Sequence, residues 1–217
     1  MKKLVMIISL IVAFSMTAVP GVMANTISSG DYVKLIAYNT YDNAGIMTYE
    51  VSHNGGTTVA FTYDTFCIQG NVYVWLNKWY PVADVSDKVG YVGPFKDGSG
   101  SLNGAVDYLF YKYKSGAYDG SLDNQGQADL QKLIWSLQGT GSQYTSSDTP
   151  WASDLIVYNA NSDLHHSWGT KVINIVSADG KYDIQNQLYN PVPEPATMLL
   201  LGLGLVGLSG IRKKIKK

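Results

Sequence analysis

The spacing of apolar residues changes twice along this chain, and that change limits the fold more than any other feature. Asp31 to Asn39 and Ile46 to Ser52 alternate in part between apolar and polar residues, as a half-buried strand must, because successive side chains point to opposite faces. Asp42-Asn43-Ala44-Gly45 between them is turn material, so the two runs read as a hairpin. His53-Asn54-Gly55-Gly56 makes the next reversal. Thr57 to Tyr63, rich in β-branched and aromatic residues, predicts a third strand that places Cys67 at or just past its end. Val72 to Tyr80, carrying Trp75 and Trp79, predicts a fourth, and Asp97-Gly98-Ser99-Gly100 a loop.

The period then becomes helical. Val106, Leu109, Phe110 and Tyr113 recur at helical spacing, with Asn103 suited to cap the start and Gly116 the end. A second helix follows, with Asn124 and Gln127 at capping-box-like spacing, an apolar stripe of Leu130, Leu133, Ile134 and Leu137, and Gly139 at its stop. Thr149-Pro150 opens a third, short helix from Trp151 to about Asn159, since proline suits a first turn. Lys171 to Ser177 and Tyr182 to Tyr189 return to strands around Ala178-Asp179-Gly180. The order predicts an α+β fold: a β-sheet or barrel body with an inserted helical layer.

The two ends carry targeting features. Lys2 and Lys3, the apolar run Leu4 to Val19 and the small residues of Val22-Met23-Ala24 predict a signal peptide over residues 1–24, with Asn25 as the mature start. At the other end stand Val192-Pro193-Glu194-Pro195-Ala196-Thr197, an uncharged stretch Met198 to Ile211, and a basic end of Arg212, Lys213, Lys214, Lys216 and Lys217. This tail, residues 191–217 with Pro193, Glu194 and Pro195 as its motif, resembles the PEP-CTERM sorting signal of Gram-negative bacteria. The resemblance implies exosortase as the processing enzyme and a cell-surface or secreted destination reached through the inner membrane. The apolar stretch is shorter than the roughly 20 residues of a stable span, which suits a processing signal better than a permanent anchor, a simple C-terminal anchor being the alternative, and its basic end would stay in the cytoplasm.

Residues 25–190 are expected to form one domain. They hold nine lysines, no arginine, fifteen aspartates and one glutamate, a net charge of −7. Nucleic acid is thereby an unsuitable partner, since phosphate binding needs a basic face. All 16 tyrosines and all 5 tryptophans fall in this region, which fits an extracytoplasmic, strand-rich surface protein.

Cys67 is the single cysteine, so it cannot close an internal disulfide and is left as a buried filler, an intermolecular bridge or a reactive thiol. On the second helix, Gln131 and Trp135 are four apart and share a face beside the Leu130, Ile134, Leu137 stripe. A glutamine there is held in a semi-buried place, where it either bonds a backbone group or meets chemistry. Phe66-Cys67-Ile68 and Gln131-Lys132-Leu133-Ile134-Trp135 together resemble the two signature motifs of the thioester domains of Gram-positive adhesins. Leu130 and Leu133 stand where that family commonly has threonine and alanine, and Gln69 is a nearer but geometrically cramped rival. The resemblance implies that Cys67 supplies the sulfur and Gln131 the acyl carbon of an internal thioester in a thioester-like domain, residues 25–190.

Holding a thiol against a carboxamide carbon makes its attack intramolecular, with ammonia leaving. Phe66, Ile134 and Trp135 are the candidates to shield such a bond from water. An amine, or a polysaccharide hydroxyl, on a target surface would then attack the acyl carbon, so the chain would act once as a covalent adhesin, without turnover and without a cofactor. Two further readings stand beside this one. A cysteine hydrolase or acyltransferase would need His53, His165 or His166 as base, with Asp163 to orient it; a metal site lacks ligand spacing. A noncovalent protein of an exopolysaccharide or biofilm matrix would use tyrosines and tryptophans such as Tyr108, Tyr111, Tyr113, Trp75 and Trp79 against sugar faces.

Overall fold

The computed structural model describes residues 25–191 apart from 40, 42, 43, 91–99, 142, 143 and 145–148. The expected signal peptide, the Asp42-Asn43 turn, most of the Asp97–Gly100 loop and the Pro193-Glu194-Pro195 motif with its apolar stretch therefore lie outside the described residues. Eight strands are described: β1 (Tyr32–Tyr38), β2 (Met47–Ser52), β3 (Phe61–Thr65), β4 (Trp79–Ser86), β5 (Lys88–Val89), β6 (Gly100–Ser101), β7 (Lys171–Val176) and β8 (Asp183–Tyr189). Three helices, α1 (Gly104–Lys114), α2 (Asn124–Gln138) and α3 (Pro150–Ala160), stand between β6 and β7. The fold is α+β, with the helices inserted between strands.

Six strands make one antiparallel sheet in the order β3-β2-β1-β4-β7-β8, and β5 and β6 pair separately. This body is a curled sheet and no closed barrel. Its two edges nevertheless meet: beyond β3 the chain runs on through Phe66, Cys67 and Ile68, and Cys67 forms an antiparallel bridge with Gln187 of β8. Ile68 N–H donates to the Asn186 carbonyl at 2.9 Å and Leu188 N–H to the Phe66 carbonyl at 3.0 Å. Three residues thus satisfy backbone groups that an edge strand would leave open.

The sheet separates two apolar clusters. One face gathers Val33, Leu35, Tyr49, Val51, Tyr80, Val82, Ile173 and Ile175, and the alternation of β1 and β2 puts them there. The other holds Phe66, Ile68, Val106, Leu109, Phe110, Leu130, Ile134, Trp151, Val172 and Leu188, where the helices pack. Each fully buried aliphatic or aromatic side chain contributes roughly 1.5–3 kcal/mol before entropy is counted. Phe66 and Ile68 point to the helix side, so the segment between the sheet edges is fastened by packing as well as by hydrogen bonds.

Strand β4 starts at Trp79, seven residues later than the Val72 start expected from the sequence. Its pairing with β1 begins only at Lys34↔Trp79, and Asn77 just before it takes a left-handed backbone (φ 58) and donates its N–H to the Leu35 carbonyl at 2.8 Å. The aromatic and β-branched run from Val72 is therefore loop. Strand β3 likewise begins at Phe61 and not Thr57, because the Asn54 side chain holds Thr58 N–H (3.0 Å) and Thr58 Oγ1 (2.8 Å) in the preceding turn. The short pair β5 and β6 was not foreseen.

Candidate functional site

Helix α2 positions the glutamine. The Asp123 side chain caps its start by accepting from Gly126 N–H at 2.8 Å, one residue before the expected Asn124, and Gly139 ends it in the left-handed region (φ 75). A second tether comes from Asn103, the N-cap of α1. Its Oδ1 accepts from Ala105 N–H at 2.9 Å while its Nδ2 donates to the Leu137 carbonyl at 2.8 Å, tying the start of α1 to the end of α2. With Leu130 and Ile134 fully buried, Gln131 on the same turns is driven against the segment that follows β3.

There it meets Cys67. The Cys67 backbone N–H donates to Gln131 Oε1 at 3.0 Å, the thiol donates to the same oxygen at 3.3 Å, and Gln131 Nε2 donates to the Cys67 carbonyl at 2.7 Å. The orientation of the amide is dictated, since a backbone N–H only donates and a carbonyl only accepts. Both residues have no exposed surface. The carboxamide is thus clamped at both ends on the residue whose sulfur faces it, and two donors draw electron density from its carbon through Oε1.

Burial pushes the Cys67 thiol up to about 12, because the thiolate loses its hydration; the Trp135 indole and the backbone N–H of Cys67 act in the opposite sense. The Trp135 indole nitrogen is buried without a fully formed hydrogen bond, and it lies close enough to the sulfur to favour the anion. At neutral pH the thiol therefore keeps its proton. Outside reagents meet a poor nucleophile, whereas the carboxamide is already in contact.

Of the expected shielding residues, Phe66 and Ile134 are wholly buried in the helix-side core, and Phe66 packs edge-on to Tyr113 with ring centroids 5.1 Å apart. Trp135 is only half-buried, and with Gly70, Asn71, Lys132, Thr140, Gly141 and Tyr144 it lines a cleft of about 280 Å³. The indole therefore reaches both the cleft and the sulfur. Close approach requires glycine on either side of it: a Cβ at Gly70 would lie 2.7 Å from the Thr140 carbonyl oxygen and 3.4 Å from the Trp135 ring, and one at Gly141 would lie 2.9 Å from Trp135 Cβ.

Several supporting residues escaped the sequence reading. Gln69 is no acyl donor in this arrangement: its Oε1 accepts from Asn186 N–H at 2.8 Å, and its carbonyl accepts from Gln185 Nε2 at 3.1 Å. Thr140 Oγ1 donates to the Ile68 carbonyl at 2.8 Å, and Thr65 Oγ1 to the Leu188 carbonyl. Gln187, opposite Cys67, donates to the Gln185 carbonyl at 2.8 Å and keeps a buried Oε1 without a partner. Thr65, Thr140, Gln69 and Gln185 thus brace the backbone on both sides of Cys67. The run Gln185-Asn186-Gln187 in the middle of a strand was the one available signal.

The histidines are engaged elsewhere. His53 Nδ1 pairs with Asp31 at 2.9 Å, His165 Nε2 with the Tyr158 carbonyl at 3.0 Å, and His166 Nδ1 with the Asp163 carbonyl at 2.8 Å. His165 and His166 line a second cleft, of about 210 Å³, whose walls include Asp107 and Tyr158 but neither Cys67 nor Gln131. Among the described residues, no three His, Cys, Asp or Glu side chains are grouped to hold a metal ion, and no helix is long and apolar enough to cross a membrane.

No curated protein matches the chain. Among solved structures, the N-terminal thioester domain of fibronectin-binding protein SfbI from Streptococcus pyogenes is similar over 81% of this chain and 100% of that chain, at 12% sequence identity and a TM-score of 0.44. Residues 191–214 match the PEP-CTERM protein-sorting motif, the signal for exosortase processing, which marks a protein exported to the cell surface.

Proposed function

We propose that this chain is a cell-surface adhesin that attaches covalently through an internal thioester between Cys67 and Gln131. The observation that carries the reading is the double clamp of the Gln131 carboxamide on Cys67, with the sulfur 3.3 Å from Oε1 and both side chains sealed from water. A hydrogen bond to a backbone group would satisfy a buried glutamine anywhere; here the residue that satisfies it is the chain's single cysteine.

In the bond-forming step the sulfur attacks the carboxamide carbon, a C–S bond forms and the C–N bond breaks. The proton leaving the thiol goes to the departing nitrogen, so ammonia is the product and no oxidant or base is consumed. The Cys67 N–H that holds Oε1 in the resting amide stays aimed at that oxygen as negative charge develops on it, the role of an oxyanion donor. In the attachment step a target amine or hydroxyl takes the carbon, the C–S bond breaks, and the target's proton passes to Cys67. Each molecule acts once.

Attachment that resists denaturant tests the reading. Cells or matrix exposed to the protein and washed in hot detergent retain the wild type and release both Cys67→Ala and Gln131→Ala. If the two variants are retained as well as the wild type, the covalent reading fails.

A further inference from the structure

The Cys67–Gln131 contact has no exposed surface, yet a nucleophile that takes the acyl carbon must reach it. The cleft of about 280 Å³ is built from the same two stretches of chain that carry the pair. Gly70 and Asn71 follow shortly after Cys67, while Lys132 and Trp135 belong to the turn of α2 that begins at Gln131. Thr140, also on the wall, ties the two stretches together by donating its hydroxyl to the Ile68 carbonyl at 2.8 Å. Neither Cys67 nor Gln131 lines the cleft. Trp135 does, and from four positions after Gln131 it shares that residue's face of the helix.

Two features set this side chain apart from ordinary core. Its Nε1–H is buried without a hydrogen-bond partner, although a buried indole N–H normally finds one; packing holds the ring, and turning it aside breaks no hydrogen bond of its own. The backbone against it is also bare. A Cβ at Gly70 would lie 3.4 Å from Trp135 Cδ2, and a Cβ at Gly141 would lie 2.9 Å from Trp135 Cβ, so glycines flank the ring and its stem.

We infer that Trp135 is the gate of the site: a nucleophile enters through the cleft, the indole turns aside to admit it to Gln131, and the ring thereby sets the size of the nucleophile captured. The chemistry of this inference rests on the thioester reading; passage to Cys67 past Trp135 does not. With the ring in place, water and bulky groups are kept from the bond. A slender primary amine needs a small displacement of the ring, and an amine carrying an aromatic group needs a large one, so discrimination is by exclusion. In the capture, the amine nitrogen bonds to the Gln131 acyl carbon, the C–S bond breaks, and one amine proton passes to the Cys67 sulfur. The products are an amide and a free thiol.

The test uses the exported full chain with methylamine and 2-phenylethylamine. Each capture rate is read by intact mass and divided by the rate of the same amine with a simple alkyl thioester. On that scale the wild type takes methylamine about tenfold faster, Trp135→Ala brings the two rates together, and Trp135→Phe keeps most of the preference. Comparing two amines on one protein cancels any effect of the indole on the leaving sulfur. Asn71→Trp, at an exposed wall position, fills the cleft and slows capture of both amines while the loss of ammonia stays complete. A wild type without preference, a preference that survives Trp135→Ala, or capture unchanged by Asn71→Trp overturns the gate and spares the thioester. Protein that retains its ammonia overturns the thioester, and the gate is then read on the free thiol. Relative to their rates with a short cysteine peptide, iodoacetamide reaches Cys67 faster than a biotinylated maleimide, and Trp135→Ala removes the difference; a difference that persists overturns the gate as well.

Discussion

Cys67 and Gln131 combine two properties that rarely meet: full burial and mutual contact of a thiol with a carboxamide. Removing the amide by Gln131→Ala leaves the Cys67 N–H and carbonyl buried without partners, and should lower unfolding free energy by about 1–3 kcal/mol, readable as a lower urea midpoint at unchanged slope. The thiol makes a second prediction through pH. Its value is raised from 9.0 unfolded to about 12 folded, so the unfolded chain ionises first and stability falls as pH rises from about 9 through about 12, by about 1.4 kcal/mol per pH unit. Protein with a free Cys67 should show this alkaline loss relative to Cys67→Ala between pH 9 and 10; protein whose sulfur is acylated should not. Trp135→Phe keeps the ring against the cleft but removes the indole N–H that favours the sulfur anion, and slower thiol release on methylamine treatment is the expected result.

The pair was legible in the sequence because it needed only one cysteine, one helical stripe and one resemblance. What lay outside that reach was the bracing: Gln69, Thr140, Gln185 and Asn186 act across strands or across 70 to 120 positions of chain, and a buried amide that bonds a distant backbone looks in sequence like any surface amide.

Among the elements, helices α1, α2 and α3 came out close to expectation because caps and stripes are local: Asn103, Gly139 and Thr149-Pro150 mark their own ends. Gly139→Ala forces a Cβ into a left-handed position (φ 75) at the end of the helix that carries Gln131, and should cost about 1 kcal/mol, checked by thermal unfolding with the methylamine reaction retained. The β4 start was misread for the opposite reason. Val72 to Trp75 has strand composition, but pairing with β1 begins only after the Asn77 turn, and pairing is a tertiary property that composition does not contain. Gly70→Ala tests the element beside it. A Cβ 2.7 Å from the Thr140 carbonyl oxygen must displace the segment that backs Trp135, and faster spontaneous hydrolysis of the bond is the predicted outcome, followed as appearance of an alkylatable thiol over time.

At the scale of the whole unit from Ile27 to Pro191, the sheet's two edges are joined through the three residues that carry the cysteine. Curling the sheet brings β3 and β8 together, the join buries Phe66, Cys67 and Ile68, and the inserted helices lay Gln131 on the join from outside. The sequence order of strands, helices and strands pointed to this α+β body, but closure at Cys67 depends on contacts about 120 residues apart along the chain. Leu188→Ala, which empties a fully buried position beside the Phe66 carbonyl, should cost roughly 2–5 kcal/mol and loosen the site with it. The thioester is tested most directly by the intact mass of the exported chain before and after methylamine, with Cys67→Ala and Gln131→Ala alongside. The account predicts a wild type lighter by one ammonia that gains one methylamine at Gln131, and two variants that change in neither respect. A wild type at its full unmodified mass, with Cys67 alkylated once the protein is unfolded, would contradict it.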